Sequence, residues 1–592
     1  MDLPNDVALA TALDRQGTDP PISRLPPELL SRILVLAKEN IVSCLLVSHL
    51  WREVSLQCPE LWNTIEISSD TWSEVPRWFQ GLLIKQACGR LVSLDVRFVS
   101  DDGSDREVED EETDDEGLDE EFLDSIVELI TDVRIQVLTI QGLEGNKTGA
   151  EFLNMLPAAS ISELEVLNIW VKRLPPTPFS GAPTPRLRHL TLEHYNKPLP
   201  DAYLSYMGTL THLQLTCITL DWEKVYALLE EVKSTLEFLG ISNSLPNRPA
   251  SKDLDEPPPI IALDKIRNIE LIECLPQVHH LLKSIRIPSA ASLFTQGYDT
   301  DSPAKDLRDV FSACPASRST FILEPNYIKM SVGDQEEFGP GGLFADFQVG
   351  NSGRGFVEEK PWLHVIFDMG PQNFVVWDME AFLLELFPPH KQWGLPNMCL
   401  SNLVSFHIED VDLIHDDGEN PLRPRYSLPL AFWKTLGQLP MLTDLRISAF
   451  SFHQFAQCLE EDSIARYISG NTLNPLSSSL FSSLERLDLE GHCFDPDGCG
   501  IVNATHRHPY KLCENFRTPY FIFIRNIRLR RGCGRPLKSL ELRRCTGILP
   551  EHLDELALNI QRLVWVSHGL SSIPSMEYEQ GSVVQSRRHR SN

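Results

Sequence analysis

The chain has 592 residues, too many for one ordinary hydrophobic core, so several units or an extended repeat array are expected. Its 42% apolar and 23% charged residues are the composition of a folded soluble protein. The formal charge is −30, of which Asp101–Glu121 supplies −13 (fourteen carboxylates against Arg106), and no concentrated basic face favours nucleic-acid binding.

Met1–Pro21 is polar, with no apolar signal-peptide core, and reads as a disordered leader to about residue 20. The thirteen cysteines are odd in number and scattered, which suits free thiols in a reducing compartment, cytoplasmic or nuclear. No apolar run approaches the ~20 residues that a membrane helix needs, so no membrane partner is expected.

A compact helical unit is predicted over residues 21–68. Leu25-Pro26-Pro27-Glu28 opens a helix, because proline is tolerated in the first turn, where backbone donors lack partners anyway. Leu29, Leu30, Ile33, Leu34 and Leu36 then give it an apolar face. Lys38-Glu39-Asn40 breaks the pattern, with Asn40 as N-cap of a second helix. That helix carries Ile41, Cys44, Leu45, Val47, Leu50, Trp51 and Val54, more than one stripe. One surface faces a small core of its own, the other a partner.

Connecting helices and a first repeat follow over 69–99, then the acidic run, read as a solvated disordered insertion at 100–121. From Leu91 onward a short L-x-x-L-x-L run recurs, at Leu91, Ile135, Leu164, Leu187, Leu210, Leu236 and Ile266, and again at Leu403, Leu442, Leu484, Leu537 and, degenerate, Ile560. The copies at Leu164, Leu187, Leu210 and Leu236 lie 23, 23 and 26 residues apart, within the period of leucine-rich repeats. Alternate residues of each short strand point inward, and one repeat cannot shield its own leucines, so stacking is obligatory. Cys274 and Cys545 stand where that repeat pattern places Asn or Cys to bond turn backbone. The repeat regions are 122–288 and 403–568, with 289–402 an insertion or a divergent set of repeats and 569–592 a disordered tail. The expected fold is α/β: a small helical unit, then an irregular leucine-rich-repeat-like solenoid of short parallel strands with helical or irregular returns.

Three blocks of the first unit resemble an F-box: Leu25-Pro26-Pro27-Glu28-Leu29-Leu30-Ser31-Arg32-Ile33, then Val47-Ser48-His49-Leu50-Trp51-Arg52, then Pro59-Glu60-Leu61-Trp62. Ser48 stands where cysteine is usual, and the loop between the first two helices is short. With the degenerate leucine repeats behind it, the arrangement is similar to that of fungal F-box proteins. The resemblance implies a non-catalytic adaptor of a Skp–cullin–F-box ubiquitin ligase, which docks on a Skp-type protein, and through it a cullin, while its repeats hold a target. The implied docking residues are Leu25, Pro26, Leu29, Ile33, Val47 and Trp51, with Trp51 equally able to be a core residue. The alternative is a repeat scaffold outside any ligase, whose F-box-like segment is only an N-terminal cap.

No catalytic, cofactor or metal site is expected. His492, Cys493, Cys499, His506, His508 and Cys513 are the densest soft ligands, but Cys493 and Cys499 are spaced too loosely for zinc. Gly350–Gly355 lacks the Gly-Lys-Ser/Thr ending of a phosphate loop and reads as a flexible loop.

Overall fold

A computed structural model describes residues 25–38, 41–72, 75–99, 120–142, 148–171, 174–193, 198–246, 259–288, 291–298, 309–310, 313, 327–334, 343–350, 363–369, 403–410, 430–448, 455–459, 461, 480–492, 494, 519–532, 534–545, 548–566, 575–579 and 582–585. Asn40, most of the acidic run, residues 351–355 and the ligand candidates other than His492 lie outside them.

The chain divides into two compact units, residues 1–236 and 237–592. The first opens with α1 (Pro27–Leu36), α2 (Ile41–Val47), α3 (His49–Gln57) and a 3-10 turn at Pro59–Leu61. A parallel ladder follows, β1 (Thr64–Ser68), β2 (Leu91–Phe98), β3 (Arg134–Gly142), β4 (Val166–Trp170), β5 (His189–Glu193) and β6 (His212–Thr216), each strand pairing with the next. The register stacks like on like: Ile65, Leu94, Leu138, Leu167, Leu190 and Leu213 are successive partners, all buried. Each such side chain contributes roughly 1.5–3 kcal/mol only once its neighbours cover it.

The returns follow repeat length. The longer gaps hold α4 (Arg77–Ala87), α5 (Glu120–Ile130), α6 (Thr148–Met155) with the single turn α7 (Ala158–Ile161), and α8 (Trp222–Val232). The two 23-residue repeats leave too little chain for a full helix and return through 3-10 turns at Pro178–Gly181 and Asp201–Thr209. Asp221 caps α8, its carboxylate accepting from the Lys224 amide at 2.7 Å.

In the second unit, β7 (Phe238–Ser242), the pair β8 (Ile261–Ala262) and β10 (Ile285–Arg286), β9 (Asn268–Cys274) and α9 (Leu275–Ser284) lead to β11 (Ser292–Tyr298). β7, β9 and β11 run parallel. The stretch set apart in the sequence as divergent holds two kinds of strand among its described residues. β11 is one more parallel strand, whereas β12 (Tyr327–Asp334), β13 (Leu343–Gly350) and β14 (Leu363–Met369) form an antiparallel insert. The ladder there runs β11–β14–β13–β12 and continues to β15 (Ser405–Asp410), so β13 alone is reversed in it. Parallel order then resumes with β16 (Asp444–Ser448), β17 (Arg486–Glu490), β18 (Ser539–Arg543) and β19 (Arg562–Val566), with returns α10 (Leu430–Gly437), α11 (Pro519–Gly532) and α12 (Pro550–Asn559). The tail expected to be disordered from residue 569 instead holds a hairpin, β20 (Met576–Glu579) and β21 (Ser582–Gln585), which covers the edge of β19 and buries Tyr578.

All twelve leucine runs read from the sequence fall on these strands. The fold is mixed α/β, helices at the amino end and then parallel strands with helical returns. Cys545 plays the turn role assigned to it: it is buried, and its thiol reaches the carbonyls of Leu489 at 3.4 Å and Arg543 at 3.3 Å. Among the described residues, no helix is long and apolar enough to cross a membrane.

Candidate functional site

The amino-terminal helices hold two apolar surfaces, and the geometry separates them. α1 has proline in its first turn and turns Leu30 and Leu34 inward, where both are fully buried. Leu29, Ile33 and Leu36 recur at i, i+4 and i+7, so they share another face of the same helix. All three are exposed, Leu36 to 89%. α2 repeats the division, burying Cys44 and Leu45 while leaving Leu46 and Val47 exposed.

The single second helix expected after Asn40 is in fact two, α2 and α3, broken at Ser48. Ser48 adopts an extended backbone (φ −160°, ψ 167°), and its hydroxyl accepts from the Trp51 amide at 3.2 Å, the geometry of an N-cap. The Arg52 Nε donates to the Leu45 carbonyl at 3.1 Å, tying α3 back to α2. Trp62 closes the unit from below, fully buried, its indole N–H donating to the Ser55 carbonyl at 2.8 Å.

The core beneath is formed by Leu30, Leu34, Cys44, Leu45, Val54, Cys58, Leu61 and Trp62, and by Phe79 from α4, whose ring lies 6.3 Å from that of Trp62. The helical unit is therefore completed by the first return helix. It is also bonded onward, since β1 pairs with β2 and Lys38 lies 3.8 Å from the Glu66 carboxylate on β1.

Of the six residues singled out in the sequence, Pro26, Leu29, Ile33 and Val47 are exposed. Leu25 is half-buried, and Trp51 is half-buried with its ring packed against the core. Leu36 and Leu46 belong with the exposed set and were not singled out. For Leu36 the signal was present, seven residues beyond Leu29. For Leu46, the unbroken apolar run Cys44–Val47 gives no way to tell which side faces water. Covering Leu29, Ile33, Leu36, Leu46 and Val47 would release on the order of 5 kcal/mol of apolar exposure. Such a surface can hold a protein.

A second constellation sits on the outward strand positions of the second unit. Arg446 reaches Glu490 at 2.9 Å and Asp488 at 3.7 Å, Arg543 reaches Glu541 at 2.8 Å and Asp488 at 3.7 Å, and Arg562 reaches Glu577 at 2.9 Å. Burial pushes the Asp488 carboxyl up to about 6, because neither arginine comes within hydrogen-bond distance to offset the lost hydration. A cleft of about 500 Å³ opens beside this network, lined by Arg543, Arg544, Arg562, Glu541, Val564 and Met576 among others. His492 is buried, with a ring nitrogen 2.8 Å from the Ile447 carbonyl. Among the described residues, no group of three or more His, Cys, Asp or Glu side chains could hold a metal ion.

A family model described as F-box-like matches residues 22–68, so the chain carries an F-box-like domain there. That span ends on the last residue of β1 and stops short of Phe79. Among curated proteins, none matches the chain. Among solved structures, the chain is similar to a leucine-rich-repeat protein of Leptospira interrogans, at 12% identity and a TM-score of 0.26, over 74% of this chain and 92% of that one.

Proposed function

We propose that the protein is a target-recognition adaptor of a Skp–cullin–F-box ubiquitin ligase, with the F-box-like domain docking on a Skp-type protein and the repeats holding the protein to be modified. The observation that carries this reading is the exposed apolar face of α1 and α2, Leu29, Ile33, Leu36, Leu46 and Val47, standing on a core that is already closed without it. A surface of that kind inside an F-box-like domain supports docking of a partner, since left solvated it is an aggregation liability. The chain itself contributes proximity rather than chemistry, holding its target near an enzyme supplied by the assembly. The site of action is the cytoplasm or nucleus.

The test is co-precipitation of a Skp-type protein with the Leu29→Asp/Ile33→Asp variant. Both side chains point away from the core, so the variant keeps its fold, and capture is expected to fall below a tenth of the wild-type level, since desolvating two carboxylates costs several kcal/mol. Recovery at wild-type levels would sink the docking surface.

A second reading is supported by the way Phe79 and β1 join the F-box-like domain to the ladder: the domain is then an N-terminal cap of a scaffold outside any ligase. Co-purification of a cullin with the tagged full chain separates the two, because a mere cap recruits none.

A further inference from the structure

The chain's charge is sharply segregated, and one pole lies on a return helix that the proposed function does not use. Between Pro519 and Lys538 the sequence holds six basic residues (Arg525, Arg528, Arg530, Arg531, Arg535 and Lys538) and no acidic one, in a chain of net charge −30. α11 buries Tyr520, Phe523, Ile524 and Ile527 on one side. Arg525, Arg528 and Arg531 stand exposed on the helix, and Arg535 on the turn that follows it. Arg530 is the exception: it is half-buried and donates to the carbonyls of Phe481 at 2.6 Å and Leu484 at 2.5 Å, fixing the helix against the ladder.

Part of this charge is already paired. Arg528 is taken by Glu555 on α12, and Lys538 by Glu485 at 2.7 Å. Arg525, Arg531 and Arg535 have no ion-pair partner among the described residues. Three guanidinium groups without an ion-pair partner among the described residues, on α11 and the turn after it, with Leu529 exposed to 48%, are the complement of a short acidic segment carrying an apolar residue. Arg525 and Arg531 lie about 9 Å apart along the helix axis and about 120° apart around it, so a short motif reaches both only by wrapping the end of the helix toward Arg535. A long polyanion fits less well. The strip is about one Debye length long, and the neighbouring α12 presents Glu551 and Asp554, exposed, to anything that runs past it.

We propose that Arg525, Arg531 and Arg535, with Leu529, form a docking site for an acidic polypeptide segment, separate from the F-box-like face. The test uses the full chain and a fluorescent peptide of roughly a dozen residues repeating Glu-Glu-Leu, read by anisotropy. Each exposed ion pair is worth a factor of roughly two to five, so the charge-reversed variant Arg525→Glu/Arg531→Glu/Arg535→Glu should bind at least about tenfold more weakly. The corresponding triple Arg→Lys variant should keep most of the binding and so report that the fold is intact. Raising the salt from about 0.05 to 0.5 M should weaken the wild-type complex by a similar factor. Peptide binding that is absent, or indifferent to charge reversal, overturns the site. Tighter binding of a single-stranded oligonucleotide with the same arginine dependence overturns the choice of occupant.

Discussion

Ser48 shows what one side chain settles. Where the F-box pattern usually has cysteine, its hydroxyl accepts the Trp51 amide and starts α3, so two short helices replace one long one. Ser48→Ala should cost about 1 kcal/mol, read as a lower urea midpoint; Ser48→Asp, which can cap equally, should restore it. Asp488 is the converse case, a carboxylate held against its own interest. Its folded value, about 6, lies above the roughly 3.9 of an unfolded chain. Between those values the folded state binds the proton more tightly, so stability present at low pH is lost as the pH rises through the window. Asp488→Asn removes that proton, and the loss between about pH 4 and pH 7 should shrink by up to about 2 kcal/mol. Urea titrations at the two pH values decide it: identical losses in variant and wild type would mean that the carboxyl is not held in this way.

At the scale of elements, the F-box-like domain was legible from three motif blocks, yet its boundary was not. The blocks end at Trp62, and nothing in them says that Phe79, beyond a Pro-containing connection, fills the space beside that indole. β1 was hidden for a related reason. Ile65 and Ile67 lie within the helical unit's span and lack the leading leucine that flagged the other strands. Removing a buried phenylalanine costs roughly 3–5 kcal/mol, about the whole stability of a unit this small. A fragment of residues 22–68 is accordingly expected to give no cooperative thermal transition by circular dichroism, whereas 22–99 should melt cooperatively. Equal cooperativity in the two fragments would show that Phe79 is dispensable to the core.

At the scale of the whole molecule, periodicity was the dependable signal. A leucine placed every few residues on a short strand can be buried only by an identical neighbour, so each run of the pattern names a strand and its partner at once. Where the pattern lapsed, between residues 289 and 402, the sequence offered no neighbour, and β11 escaped notice because Thr295 stands where its partners carry Leu271 and Ile241. Which outward residues meet was likewise unreadable. The Arg446–Glu490 pair joins positions 44 residues apart, a distance that only the register supplies.

That lapse also bears on how the protein emerges from the ribosome. From β1 to β6 each new strand can dock on the one just made, so that part of the nascent chain can fold as it is extruded. β11 breaks the sequence: its next neighbour is β14, with Leu293 opposite Leu363, while β12 must wait for β13 and β14 to be placed before it can receive β15. At roughly 5–20 residues per second, β11 stands with an open edge for several seconds of synthesis. During that interval the half-made protein is most exposed to strand-swapping with its neighbours on a polysome, and most in need of a chaperone.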